Sequence, residues 1–139
     1  MAIAIPYESE LLRRADQAMR GMRGMKESDP TGRAPSTPGA KLDSSKPPMM
    51  RGAIAFFPRA LEAVAAASAK GADKYAWGGW VDAPDGINRY GDALVRHLCA
   101  EHRGETLDQD SKLHHAAHAA WNALARLELI LREEAEKGQ

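Results

Sequence analysis

The sequence predicts an all-α fold: a small helical bundle with ordered loops, completed by oligomerisation. Apolar residues recur at spacings of three and four along several segments, which is the period of a helix with one buried face. No segment alternates polar and apolar residues as a half-buried strand would. Much of the 44% hydrophobic content is alanine, and the aromatic residues are only three Trp, three Tyr and two Phe. A core built from such residues is thin and leans on a partner surface.

The elements follow in chain order. Leu11, Leu12, Ala15, Met19 and Met22 mark a helix over residues 9–25, ended by the breakers Ser28, Asp29, Pro30 and Gly32. Residues 1–38 thus read as an N-terminal arm, and 39–139 as a helical domain. Residues 39–58 read as an ordered loop with an apolar anchor, Ile54-Ala55-Phe56-Phe57. Pro58 suits a helical first turn, so Arg59–Lys70 reads as an alanine-rich helix stopped by Gly71. Residues 72–88 are an irregular stretch holding Tyr75, Trp77 and Trp80. A second helix runs from about Asn88 to His102, with His97 on its apolar stripe and Gly104 as its breaker. Asp108, Asp110 and Ser111 then offer caps for a long helix from Lys112 to about Lys137. Leu113, Ala117, Ala120, Leu124, Leu127 and Leu131 form one stripe of it, the expected core face.

Composition excludes several classes. The 139 residues fit one domain, and 19 basic residues balance 19 acidic ones, so no nucleic-acid polymer is expected as a partner. One cysteine, Cys99, forbids an intrachain disulfide and reads as core. No apolar run reaches the roughly 18–20 residues of a membrane span. The N-terminus lacks a signal-peptide layout, so a cytoplasmic location is expected.

Three constellations carry chemistry. Glu105 and Asp108 place two carboxylates three residues apart at a helix junction, where Glu62 and Asp92 could complete an oxygen-rich site for Mg²⁺ or Mn²⁺; Asp108 could equally serve only as a cap. His115, His118 and Asn122 form a polar stripe on the last helix. That stripe reads as a ligand-contacting face, as a hydrogen-bond network between helices, or as a zinc site with His97 as a further ligand. Lys41, Lys46, Arg51, Lys70, Lys74 and Arg96 flank loops bearing Tyr75, Trp77 and Trp80, a combination suited to a phosphorylated ligand with a base to stack. Those rings could also simply cover the core from outside.

The blocks Gly39-Ala-Lys41-Leu-Asp43-Ser-Ser-Lys46-Pro, Pro58-Arg-Ala-Leu-Glu62, Gly71-Ala-Asp-Lys74-Tyr75 with Trp80, Arg89-Tyr90-Gly-Asp92-Ala-Leu-Val-Arg96-His97, Gly104-Glu105-Thr-Leu-Asp108-Gln-Asp-Ser111 and His115-Ala-Ala-His118-Ala-Ala-Trp-Asn122 occur in that order. Together they resemble the small phage dATP/dGTP diphosphohydrolases of the MazZ type, relatives of the MazG-like all-α pyrophosphohydrolases. Lys112 stands where the family usually has glycine, Ser45 likewise, and His114 where it commonly has proline. The paired-glutamate helix of MazG enzymes has no counterpart, Glu62 being the one acid on its helix.

The resemblance implies a metal-dependent enzyme of an infected bacterial cytoplasm that cleaves purine deoxynucleoside triphosphates to monophosphate and pyrophosphate. Glu105, Asp108 and His118 are then the expected catalytic residues. Glu62, Asp92, Glu105 and Asp108 are the expected Mg²⁺ or Mn²⁺ ligands. Lys46, Lys74, Tyr75, Trp77, Trp80, Arg96, His115 and Asn122 are the expected nucleotide contacts. The same cations, rings and histidines equally suit a non-hydrolytic anti-defence protein that sequesters a cyclic oligonucleotide or an ADP-ribose derivative. A homo-oligomer is expected under either reading.

Overall fold

Among the described residues three α-helices carry the fold: α1 (Pro58–Lys74), α2 (Gly86–His102) and α3 (His115–Lys137). A π-helical turn, Met50–Ile54, precedes α1, and a 3₁₀ turn, Gly79–Asp82, lies between α1 and α2. The computed structural model describes residues 26–138, so the helix expected over 9–25 lies outside the described residues. The described residues contain no β-strand, only an isolated bridge between Leu107 and His114.

The chain divides into two compact units at Gly52–Ala53. In the first, Asp29 organises the loops. Its Oδ1 accepts from the Thr31 amide at 2.7 Å and the Thr31 hydroxyl at 2.5 Å, while Oδ2 accepts from the Lys41 amide at 2.7 Å. Ser28 and Ser44 are also bonded, so the segment from residue 39 is tied to the residues before it. The sequence division at 38/39 and the structural one at 52/53 therefore fall in different places.

The second unit holds the helices. Pro58 occupies the first turn of α1. Gly71 does not end that helix, which runs on to Lys74 and closes when the Tyr75 amide donates to the Gly71 carbonyl at 3.0 Å. A glycine costs a helix about 1 kcal/mol and does not by itself break one. The long α3 packs extensively against α2 and less so against α1.

Small residues fill the contact. The buried hydrophobic residues are Ala67, Ala100, Ala117, Ala119 and Ala125, and no large side chain is wholly buried among the described residues. Gly86 opens α2 against α3, where a Cβ would stand 2.7 Å from Leu129 Cδ1. Because alanine and glycine let helix axes approach closely, the small-residue face of α3 turns inward. Of the stripe expected to form the core, Ala117 is buried, but its leucines on α3 face outward: Leu124, Leu127 and Leu131 are 51%, 50% and 39% exposed. Cys99, expected in the core, is exposed as well.

An aromatic trio joins the elements. Trp80, Tyr90 and Trp121 meet edge to face with centroids 5.6–6.3 Å apart, a geometry favoured by the ring quadrupoles. Tyr90 Oη donates to the Trp80 carbonyl at 2.7 Å, and Trp121 Nε1 donates to Ser68 Oγ on α1 at 2.9 Å. Each polar tip is thus satisfied while its ring packs. Burial also pushes the Tyr90 hydroxyl above its ordinary pKa.

Candidate functional site

The loop from 103 to 114 shapes the site. Gly104 takes φ 91° after α2, the left-handed region where a side chain is disfavoured. Beyond it the chain folds on itself: the Asp108 amide donates to Leu113 O at 2.8 Å, and the His115 amide to Thr106 O at 3.1 Å. Lys112 lies at φ 60°, also left-handed, which accounts for glycine being the residue the resemblance expects there. This turn delays α3 until His115, three residues later than the periodicity suggests, and Asp108 does not cap that helix.

Asp108 instead closes a turn over Ser111. Its Oδ1 accepts from the Ser111 amide and hydroxyl, both at 2.8 Å. Ser111 Oγ lies 2.7 Å from His118 Nε2, and the Leu113 amide donates to the same oxygen at 3.2 Å. A hydroxyl has one proton, and an ionised carboxylate only accepts. The Ser111 proton therefore goes to Asp108, and His118 must donate from Nε2. The tautomer of His118 follows, with the lone pair on Nδ1.

On α2, His97 stacks on His118 with centroids 4.7 Å apart and planes 12° from parallel. His97 Nδ1 lies 2.8 Å from His115 Nδ1. His115 is only 5% exposed, and its Nε2 is buried without a hydrogen-bond partner among the described residues. Asn122 is buried below and donates from Nδ2 to the His118 carbonyl at 2.8 Å.

The electrostatics are consistent with this packing. The Ser111 amide holds the Asp108 carboxyl below its ordinary pKa, aided by the Ser111 hydroxyl and the two nearby imidazoles, against a raising contribution from burial. Burial lowers His97, reinforced by His118 and His115. Burial lowers His118 too, with Asp108 opposing and His115 and Lys74 adding to the effect. Around neutral pH the Asp108 carboxylate thus lies beside the neutral imidazoles of His97 and His118.

The other residues singled out from sequence are placed as follows. Lys74, at the end of α1, sits 3.7 Å from Asp110. Arg96 is exposed on α2 beside His97. Glu105 is bonded to Arg103 at 3.0–3.1 Å. Glu62 on α1 and Asp92 on α2 are exposed. Tyr75 and Trp77 are each 78% exposed, whereas Trp80 is taken up by the aromatic trio, with the Arg132 guanidinium 5.7 Å from its ring. Lys46 belongs to the first unit, 3.4 Å from Glu27.

Among the described residues, the group of three or more histidine, cysteine or acidic side chains whose ligand atoms converge, all within 4.8 Å, is His97, Asp108 and His115. No three of Glu62, Asp92, Glu105 and Asp108 gather in that way. A hard cation such as Mg²⁺ needs a shell of oxygens, so these four acids do not form a cage fitted to it. Ser111, which the sequence offers as a helix cap, is the residue that links Asp108 to His118. The Asp-x-x-Ser spacing was its signal, since that spacing makes a side-chain-closed turn as readily as a cap.

A shallow groove lies elsewhere, between residues 81–88 and the stretch Leu129–Glu136. Its lining includes none of the histidines.

The described residues thus form a helical unit in which the chain Asp108–Ser111–His118 lies against the imidazoles of His97 and His115. Over residues 36–138 the chain matches the family model dATP/dGTP diphosphohydrolase, N-terminal, and it belongs to that family. Comparison with curated proteins and with solved structures gave no further match.

Proposed function

We propose that the protein acts on purine deoxynucleoside triphosphates, dATP or dGTP, releasing the monophosphate and pyrophosphate. The observation that carries this reading is the hydrogen-bonded chain Asp108–Ser111–His118, inside the stretch that matches the family. In the reaction a water oxygen bonds to the α-phosphorus while the bridging oxygen leaves with the β-phosphorus. A proton must be taken from the water. His118 is held with Nε2–H on Ser111, so its Nδ1 lone pair serves as the acceptor. Lys74 and Arg96 offset phosphate charge near the leaving group. The exposed rings of Tyr75 and Trp77 offer stacking faces for the purine, a role Trp80 does not share.

A second reading has one observation in its favour: the four acids expected to hold a hard cation do not assemble. In that reading the same site binds and sequesters a nucleotide signal, a cyclic oligonucleotide or an ADP-ribose derivative, without cleaving it.

The test is product analysis. The protein is incubated with each deoxynucleoside triphosphate and Mg²⁺ or Mn²⁺, and products are resolved by anion exchange. The expected result is monophosphate and pyrophosphate in equal amounts from dATP or dGTP, with pyrimidine nucleotides largely intact. Absence of turnover, with recovery of an intact nucleotide after heating the protein as isolated, would replace hydrolysis with sequestration.

A further inference from the structure

We infer that His97, Asp108 and His115 form a binding site for one divalent transition-metal ion of the Zn²⁺, Co²⁺ or Mn²⁺ kind, in preference to Mg²⁺. The three residues come from α2, the turn before α3 and the first residue of α3, and their ligand atoms lie within 4.8 Å of one another. Two imidazole nitrogens each about 2.0–2.1 Å from one tetrahedral ion stand about 3.3–3.4 Å apart. The two Nδ1 atoms are 2.8 Å apart, in direct hydrogen-bond contact, so an ion would take the place of that bond by moving them apart by roughly half an ångström.

The protein does not complete this cluster by itself. His115 is 5% exposed; its Nδ1 meets His97 Nδ1, while its Nε2 has no partner among the described residues. Burying such a group unpaired costs about 1–3 kcal/mol. Asp108 is half-provisioned as well. Ser111 occupies Oδ1 twice, and no hydrogen bond to Oδ2 occurs among the described residues. A cation between these groups would use a nitrogen of each imidazole and the spare carboxylate oxygen.

The donor set selects the ion. Two imidazoles with one carboxylate suit Zn²⁺ and its first-row neighbours, whereas Mg²⁺ keeps oxygen ligands and water. Three protein ligands also leave a position open, as sites that bind a water or substrate do. Ser111 then acts as a positioning residue that fixes the carboxylate, with His118 bonded to its hydroxyl and lying flat on His97. This inference does not rest on hydrolysis, and a chain that binds the ion but cleaves nothing leaves it standing.

The experiment is metal titration of the chelator-stripped full chain without nucleotide. Co²⁺ uptake is followed by its visible ligand-field absorption, and Zn²⁺, Mn²⁺ and Mg²⁺ by thermal unfolding. One Co²⁺ per chain is expected, displaced by Zn²⁺, with at least a tenfold preference for either over Mg²⁺. His97→Gln and Asp108→Asn should each weaken uptake tenfold or more, while Glu62→Gln and Asp92→Asn leave it unchanged. Far-UV circular dichroism checks that the variants remain folded. If the folded wild-type chain shows neither a Co²⁺ band nor a Zn²⁺ shift, or if folded His97→Gln and Asp108→Asn bind as wild type does, the site is not a metal site.

Discussion

His118 Nε2 stands 2.7 Å from Ser111 Oγ, and the serine proton is already committed to Asp108. One hydroxyl thereby fixes the protonated nitrogen of a histidine seven residues along the chain. Replacing Ser111 with alanine removes all three hydrogen bonds of its hydroxyl, to Asp108, His118 and the Leu113 amide. The expected cost is about 1–2 kcal/mol, since one bond is to a charged acceptor in a half-buried setting. The sharper readout is the ring itself. The ¹⁵N shifts of His118 should report Nε2–H in the wild type and a mixture of tautomers in Ser111→Ala. A His118 spectrum that Ser111→Ala leaves unaltered would mean that the hydroxyl does not set the tautomer.

Asp29 gives the first unit a pH dependence of known sign. The Thr31 hydroxyl, the Lys41 amide and the Thr31 amide hold its carboxyl below the ordinary range, against a smaller opposing contribution from burial. The unfolded chain therefore binds the proton more readily than the folded one. The stabilisation is fully present above the unfolded value of about 3.9 and is lost as pH falls through the lower folded value. Amide shifts of Thr31 and Lys41 followed from neutral pH into acid should report one titration with a midpoint below 3.9. Asp29→Asn should abolish it. A midpoint at or above the ordinary aspartate value would contradict the three-bond arrangement.

The fold was legible in sequence where local chemistry decides it. Pro58, Gly104 and the three-and-four spacing place the helices to within a few residues, because caps and breakers act within one turn. The inward face of α3 was not legible. Hydrophobicity favours the leucines, but the close approach permitted by Gly86, Ala100 and Ala119 favours the alanines, and that contact exists only once two helices meet. At the site, the histidines were visible as a stripe and His97 as their candidate companion. Their convergence with Asp108 depends on the turn through Lys112, whose φ of 60° no periodicity encodes.

That turn supplies another prediction. A non-glycine residue in the left-handed region costs about 1–2 kcal/mol, while glycine gives back roughly 0.5–1 kcal/mol through the freedom of the unfolded chain. Lys112 is exposed, so its side chain contributes little packing. Lys112→Gly should therefore stabilise the protein by about 0.5–1 kcal/mol, read as a higher urea midpoint at unchanged slope. Lys112→Val should move the midpoint the opposite way, since a branched side chain tolerates this conformation worst. A Lys112→Gly midpoint below that of the wild type would show that the lysine side chain contributes more than its backbone strain costs.

The outward leucines carry the last prediction. Leu124, Leu127 and Leu131 lie exposed along one stripe of α3, and Leu61, Val95 and Leu98 are exposed elsewhere in the same unit. Contiguous apolar surface of this kind is uncommon on a protein that stays monomeric. With a core of alanines, the chain is expected to gain stability by pairing the leucine stripe with that of a second copy. Sedimentation velocity should show a species larger than the 139-residue monomer at micromolar concentration, and Leu124→Glu with Leu127→Glu should dissociate it. Because these side chains are half exposed in the isolated chain, helix content should survive the double substitution. A wild-type chain that sediments as a monomer across that range, or a double variant that assembles as before, would place the contact elsewhere or remove it.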